Sequence, residues 1–107
     1  AVAIDPVFDR KLDAVNELVS QVYEGGANGG PESMKAVPGA EAPAERRAWL
    51  RKRWETRQGQ EADRFRDALV KRYGQERGRA TRYAEAFEIG EYGRQPSAQE
   101  LKELFPF

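Results

Sequence analysis

The chain has 107 residues, enough for one small domain with a modest core. It contains no histidine and no cysteine, which excludes disulfides, imidazole and thiolate chemistry, and the usual zinc sites. No stretch approaches the roughly 18 apolar residues that span a bilayer, and there is no signal-like segment. We therefore expect a soluble, cytoplasmic protein without a membrane partner. The start at Ala1, without Met, favours a processed chain or a fragment.

The net charge is zero, but the charges are unevenly distributed along the chain. Residues 1–44 carry three basic and seven acidic side chains, a net charge of −4. Residues 45–82 carry thirteen basic and six acidic side chains, a net charge of +7, and residues 83–107 carry two and five, a net charge of −3. The basic middle can be neutralised by the acidic ends, or it can present a cationic face to a polyanion.

The first predicted element is a helix over residues 5–24. Asp5 suits the N-cap position, and Pro6 suits the first helical position because its missing N–H would be unpaired there. Gly25 and Gly26 are expected to end the helix. Its apolar residues repeat every three or four positions, which indicates one buried stripe: Phe8, Leu12, Val15, Val19 and Val22.

A connector separates this helix from a long second one. Residues 25–43 are rich in Gly, Ala and Pro, which predicts a flexible segment. Residues 44–73 predict a long helix, with at most a slight bend at Gly59 and an end at Gly74. Its apolar stripe thins near residues 57–58 and comprises Leu50, Trp54, Ala62, Phe65, Leu69 and Tyr73.

The last third combines an ambiguous segment with a short helix. Residues 74–96 fit either helical or alternating spacing, and we expect an irregular or extended segment. Ser97 and Glu100 form a capping-box pattern that predicts a helix over residues 97–105. The fold class is therefore mainly α: an antiparallel helical hairpin with a long second helix, followed by an irregular segment and a short helix.

Basic and aromatic residues alternate between Glu45 and Arg57, in the run ERRAWLRKRWETR. Such a run can bind nucleic acid through phosphate contacts and stacking on Trp49 and Trp54. At helical spacing, the commoner explanation is that the tryptophans pack inward while the arginines face water. We favour this structural interpretation, and nucleic acid is the least favoured partner.

Two pairs of carboxylates are spaced by one helical turn, Asp9 with Asp13 and Asp63 with Asp67. Such pairs can serve acid–base chemistry or hold a cation. Each pair has basic neighbours and no recognisable third ligand, so ordinary ion pairing is favoured. We assign no catalytic, cofactor-binding or metal-binding residue in this chain.

Two stretches carry the patterns of a known family. The first, Asp9–Gly26, reads DRKLDAVNELVSQVYEGG, and the second, Tyr73–Gly93, reads YGQERGRATRYAEAFEIGEYG and is followed by LKELFPF at Leu101–Phe107. Together they resemble the C-terminal part of the PIG-L/LmbE-like N-acetyl-sugar deacetylases (GlcNAc-PI de-N-acetylase family). The resemblance covers most of the chain outside residues 27–44.

Individual positions match three patterns of that family. A Lys-x-x-Ala-x-x-x-His-x-Ser-Gln pattern is matched at Lys11, Ala14, Ser20 and Gln21, with Leu18 where the family often has His. Residues 83–87 match Tyr-Ala-Glu-Ala-Phe, and residues 91–93 match Glu-Tyr-Gly. The family's catalytic signature, an Ala-His-Pro-Asp-Asp-Glu-like loop that binds zinc, is absent from this chain.

The resemblance implies a non-catalytic accessory segment of a larger zinc-dependent deacetylase, with no activity of its own. Its partner would be the missing catalytic domain, which would hold the zinc. The alternative is a free-standing helical module for protein interaction, with a homodimer formed through the long helix. In both cases the chain itself needs no cofactor.

We expect the isolated chain neither to bind zinc tightly nor to deacetylate N-acetylglucosamine derivatives, because it has no His or Cys ligand. Isothermal titration calorimetry and an amine-release assay measure the two properties. A stoichiometric zinc signal, or hydrolysis that survives repurification, would contradict this expectation.

Overall fold

The computed structural model of the chain describes residues 1–26 and 29–106 and is mainly helical, with a long helix and a short C-terminal helix, as predicted. The elements follow one another in this order: β1 (Val2–Ala3), a 3-10 helix (Asp5–Val7), α1 (Phe8–Asn16), α2 (Val19–Val22), α3 (Pro31–Met34), α4 (Pro43–Arg64), α5 (Arg66–Tyr73), α6 (Gln75–Ala80), β2 (Ala84–Glu85) and α7 (Ala98–Leu104).

Helices α1 and α4 pack antiparallel, as the predicted hairpin requires. Arg47 pairs with Asp13 and Arg51 pairs with Asp9, so the contacts run in opposite directions along the two helices. The main core lies between these helices, because their apolar stripes face each other. Its buried residues are Ile4, Phe8, Leu12, Tyr23 and Leu50.

The helix predicted over residues 5–24 is divided. A 3-10 turn precedes α1, and a break at residues 17–18 separates α1 from α2. Beyond this break the predicted stripe holds only in part: Val22 packs against the core, but Val19 is exposed. Tyr23 is buried and donates a hydrogen bond to Asn16 Oδ1 at 2.7 Å.

The predicted N-cap role of Asp5 is wrong. Asp5 is the first residue of the 3-10 helix, and no side chain caps that helix. Its carboxylate instead accepts hydrogen bonds from the backbone N–H groups of Arg82, at 3.1 Å, and Tyr83, at 3.3 Å. The tertiary fold brings the Asp5 carboxylate beside these two backbone N–H groups, which need acceptors. The carboxylate therefore binds them and does not cap its own helix.

The predicted connector contains local structure in its described part. It includes α3, and the carbonyl of Pro38 accepts a hydrogen bond from Arg46 Nε at 2.8 Å. Ala27 and Asn28, which belong to the segment expected to be flexible, lie outside the described residues.

The long helix is interrupted at Phe65, and not at Gly59, where a slight bend was expected. Phe65 has φ −107° and ψ 26°, outside the helical range, and separates α4 from α5. After this break, Leu69 and Tyr73 face a second, smaller core around Ala62 and Ala84.

Helix α6 was not predicted, because residues 74–96 were expected to be irregular or extended. Gly74, with φ +83°, ends α5 and lets α6 turn back onto it. Gly78 of α6 is buried against α5, where a Cβ atom would lie only 2.4 Å from Val70 Cα. Arg66 holds the end of α6 by donating hydrogen bonds to the carbonyls of Gly78, at 3.0 Å, and Thr81, at 2.6 Å.

A short antiparallel pair of strands joins the N-terminal residues to the segment that follows α6. Val2 of β1 faces Glu85 of β2, and Ala3 faces Ala84. The same approach stacks Tyr83 on Phe8 with ring centroids 4.0 Å apart. The segment predicted as extended therefore contains one short strand, and that strand covers the second core.

The two helical glycines should respond oppositely to alanine. Gly78→Ala should destabilise the protein by roughly 1–3 kcal/mol, because the new methyl group overlaps the α5 backbone. Gly59→Ala should stabilise it by about 0.5–1 kcal/mol, because the nearest atom, Arg82 O, is 3.8 Å away and alanine favours the helix. Equilibrium urea denaturation measures both changes. Equal effects would refute the close packing of α6 on α5.

Candidate interaction surfaces

Three of the four carboxylates singled out from the sequence form ion pairs with arginines. Asp9 and Asp13 bind Arg51 and Arg47 of α4, and Asp63 binds Arg66 at 2.7 Å. Over residues 1–26 and 29–106, no group of three or more acidic side chains is arranged to hold a metal ion. The structure therefore uses these carboxylates to attach and orient helices.

The tryptophans of the basic run are half-buried and pack against the main core. Trp49 contacts Tyr23 with ring centroids 6.0 Å apart, and the guanidinium of Arg46 lies 4.8 Å from the Tyr23 ring centroid. This arrangement agrees with the structural interpretation of the run on the side that faces α1 and α2.

A polar cluster, Lys11, Gln58 and Glu85, lies where the apolar stripe of α4 thins. Lys11 forms an ion pair with Glu85. The Gln58 amide, in the orientation that satisfies both neighbours, donates to the Ala84 carbonyl at 2.5 Å and accepts from Lys11 Nζ at 3.2 Å. Gln58 is buried, so these hydrogen bonds offset the cost of removing its amide from water. The cluster ties α1, α4 and β2 together.

A mainly apolar groove of about 790 Å³ lies at the C-terminal end of the chain, and we call it the C-terminal groove. It is formed by the N-terminal residues, the end of α5, the segment after β2, and α7. Its apolar walls include Tyr73, Phe87, Ile89, Leu101, Leu104 and Phe105, and three charged residues also line it, Arg72, Glu88 and Lys102.

The walls of the C-terminal groove are strongly exposed. The exposed fractions are 63% for Phe87, 62% for Leu104 and 45% for Phe105. Phe87 and Phe105 contact each other with ring centroids 6.3 Å apart, which attaches α7 to the rest of the chain. None of the residues of α7 is buried, although Leu101 and Leu104 share one side of the helix.

Helix α7 begins with the predicted capping box. Ser97 Oγ accepts a hydrogen bond from Glu100 N at 3.2 Å, and the Glu100 carboxylate accepts one from Ser97 N at 2.8 Å. The carboxylate also pairs with Arg94 at 2.6 Å. The backbone N–H of Ser97, then Arg94, then the Ser97 hydroxyl lower the pKa of Glu100 below its ordinary value of 4.5.

A second groove, of about 340 Å³, lies between α2, the residues around α3, and α4. We call it the tryptophan groove, and it shares no lining residue with the C-terminal groove. Its lining residues are Gln21, Val22, Gly25, Gly29, Met34, Val37, Trp49, Arg53, Trp54 and Arg57. Sequence analysis identified the tryptophans and the arginines, but not the residues that face them across the groove.

The stability of α7 should fall in acid. Because the pKa of Glu100 is lowered in the folded chain, the contribution of its carboxylate is present above pH 4.5 and is lost as the pH falls through the folded pKa. Carboxyl-carbon NMR shifts measured against pH should place this pKa below 4.5, and Arg94→Gln should raise it. A Glu100 pKa at or above 4.5 would contradict the capping geometry.

Comparisons with protein-family models, with curated proteins and with solved structures found no match for this chain. The resemblance to deacetylases therefore depends on the matching residues of the sequence alone. Within the part of the chain that the structure describes, no helix is both long and apolar enough to cross a membrane.

Proposed function

We propose that this chain is a non-catalytic accessory segment of a zinc-dependent N-acetyl-sugar deacetylase of the PIG-L/LmbE-like kind. The C-terminal groove would pack on the catalytic domain of that enzyme. The observation that carries the proposal is that α7 is capped and apolar on one side, yet none of its residues is buried. Short helices gain most of their stability from packing, so a surface from another domain would complete this one.

Several of the residues that resemble the deacetylase family contact one another or share a groove. Phe87, which ends the Tyr-Ala-Glu-Ala-Phe segment, forms one wall of the C-terminal groove, and Leu101 and Leu104 of the last segment form another. The Lys11–Glu85 ion pair links the first matching stretch to the second. These contacts support the proposal that the separated patterns belong to one structural unit.

The side chains of this chain indicate which roles it would have and which the catalytic domain would have. Without His and Cys, this chain would leave zinc binding and water activation to the catalytic domain. Lys11 and Glu85 already pair with each other, and Asp9 and Asp13 pair with arginines. This chain would cover apolar surface of the catalytic domain and would stabilise the structure of that domain.

The lining of the C-terminal groove indicates the chemistry of the surface that it fits. Phe87, Leu104 and Phe105 supply apolar area, while Arg72 and Lys102 supply two positive charges against the single negative charge of Glu88. A complementary partner would present an apolar ridge with an acidic border, because opposite charges at an interface rim favour the correct partner.

The first test is the reading frame that encodes this chain together with its upstream region. An in-frame His-Pro-Asp-Asp motif is expected upstream of Ala1. A start codon directly before Ala1 would overturn the proposal.

The second test uses a matched pair of leucines in the longer polypeptide. Leu104 lines the C-terminal groove and is 62% exposed here, whereas Leu18 is 53% exposed and lines neither groove. Leu104→Ser should lower the melting temperature of the longer polypeptide by about 2 °C or more, because the partner surface buries this side chain. Leu18→Ser should leave it nearly unchanged, and both substitutions should be nearly neutral in the isolated chain. Equal effects of the two substitutions in the longer polypeptide would contradict the proposed docking.

The alternative function, a homodimerisation module, is favoured by the same exposed apolar walls. The contact expected along the long helix is less suitable, because Leu50, Ala62 and Leu69 are already fully buried within one chain. A dimer would therefore use the C-terminal groove. Sedimentation equilibrium on the isolated chain and on its Phe87→Ser variant distinguishes a homodimerisation module from an accessory segment. A dimer that Phe87→Ser disrupts would favour the homodimerisation module.

A further inference from the structure

The arginines of the tryptophan groove differ from those on the side of α4 that faces α1. On the side of α4 that faces α1, Arg47 and Arg51 are neutralised by Asp13 and Asp9. The arginines that line the groove, Arg53 and Arg57, form no ion pair with any carboxylate of residues 1–26 and 29–106. Among the described residues no acidic side chain lines the groove itself, although Arg57 also borders a neighbouring cleft that contains Glu61 and Glu85. The positive potential of the groove is therefore offset only from the side of Arg57.

The arginines are positioned by the helix and by an aromatic ring. Trp49, Arg53 and Arg57 follow one another at intervals of four residues, which places them on one side of α4. The guanidinium of Arg53 lies 5.5 Å from the Trp49 ring centroid, and Trp49 is itself in contact with Tyr23. Arg53 is thus held above a ring that the core keeps in place, which reduces the entropy lost when it binds a ligand.

The remaining walls of the groove are mixed, with the polar side chain of Gln21 beside several apolar ones. Trp54 is half-buried and lies next to Arg53 in sequence, and Val22, Met34 and Val37 line the groove with it. A volume of about 340 Å³ is at the lower end of the range for small-molecule pockets. The groove therefore combines a pair of cationic donors with a wall that is partly aromatic and partly polar.

We propose that the tryptophan groove binds a phosphate monoester that carries a planar ring, of which a mononucleotide is the simplest representative. The guanidinium N–H groups of Arg53 and Arg57 donate hydrogen bonds to the phosphate oxygens, an arrangement that arginine favours because its donors form a planar fork. The planar ring packs against Trp54 and the adjacent apolar side chains. This site is independent of the proposed accessory function, because the two grooves share no lining residue.

A single small ligand fits this groove better than a nucleic acid strand does. Residues of α2 and the segment around α3 bound the groove on the side opposite α4, which limits its length. The residues on either side of the basic segment are net acidic, which weakens attraction for a long polyanion. Tighter binding of a single-stranded oligonucleotide than of a mononucleotide would overturn the proposal.

The experiment measures tryptophan fluorescence of the full chain during titration with AMP, adenosine and inorganic phosphate. Trp49 and Trp54 are the only tryptophans, so the signal reports on the groove directly. AMP should cause saturable quenching, and adenosine and phosphate should each bind at least about tenfold more weakly. Isothermal titration calorimetry with AMP provides a second readout that does not depend on the tryptophans.

The matched variants are Arg57→Gln and Lys52→Gln, which each remove one positive charge from α4. Lys52 is exposed and does not line the groove, whereas Arg57 does. Arg57→Gln should weaken AMP binding by about tenfold or more, and Lys52→Gln by less than about twofold. Circular dichroism verifies that both variants keep the helical fold. Absence of saturable AMP binding at millimolar concentration, equal losses in the two variants, or equal affinity for AMP and adenosine would each overturn the proposal.

Discussion

The fold depends on the contact between the N-terminal residues and the segment that contains Tyr83. The Asp5 carboxylate accepts hydrogen bonds from backbone N–H groups 77 and 78 residues away, and Tyr83 stacks on Phe8 with ring centroids 4.0 Å apart. Ordering so long a loop costs chain entropy, which these hydrogen bonds and the buried ring area must offset. This contact places β2 over the second core, so that Ala62, Leu69 and Ala84 are buried completely.

Bringing β2 over α4 explains why a glutamine occupies the middle of an otherwise apolar stripe. A two-residue strand offers few ladder hydrogen bonds, and the buried carbonyl of Ala84 needs a donor. Gln58 supplies that donor and at the same time accepts from Lys11, whose charge is balanced by Glu85. An apolar side chain at this position would fill the space but leave the carbonyl unpaired, at a cost of about 1–3 kcal/mol.

The two grooves lie where this small chain does not cover its own side chains. In the C-terminal groove the uncovered groups are apolar, which favours contact with another protein surface. In the tryptophan groove they are guanidinium groups beside aromatic rings, which favours a small anionic ligand. Because the two grooves share no lining residue, the proposed docking and the proposed ligand binding can occur independently of each other.

The sequence by itself determined the features that depend on neighbours within one or two helical turns. The mainly helical class, the stripe through Phe8 and Leu12 and the capping box at Ser97 follow from local periodicity and hydrogen bonding. Only the tertiary structure decided the partner of Asp5, the burial of Gln58 and the lack of an ion pair between Arg57 and the described carboxylates. Each of these outcomes depends on residues that are far apart in sequence. No local sequence pattern predicts that they come together, because packing of the whole chain sets the geometry and the burial of each contact.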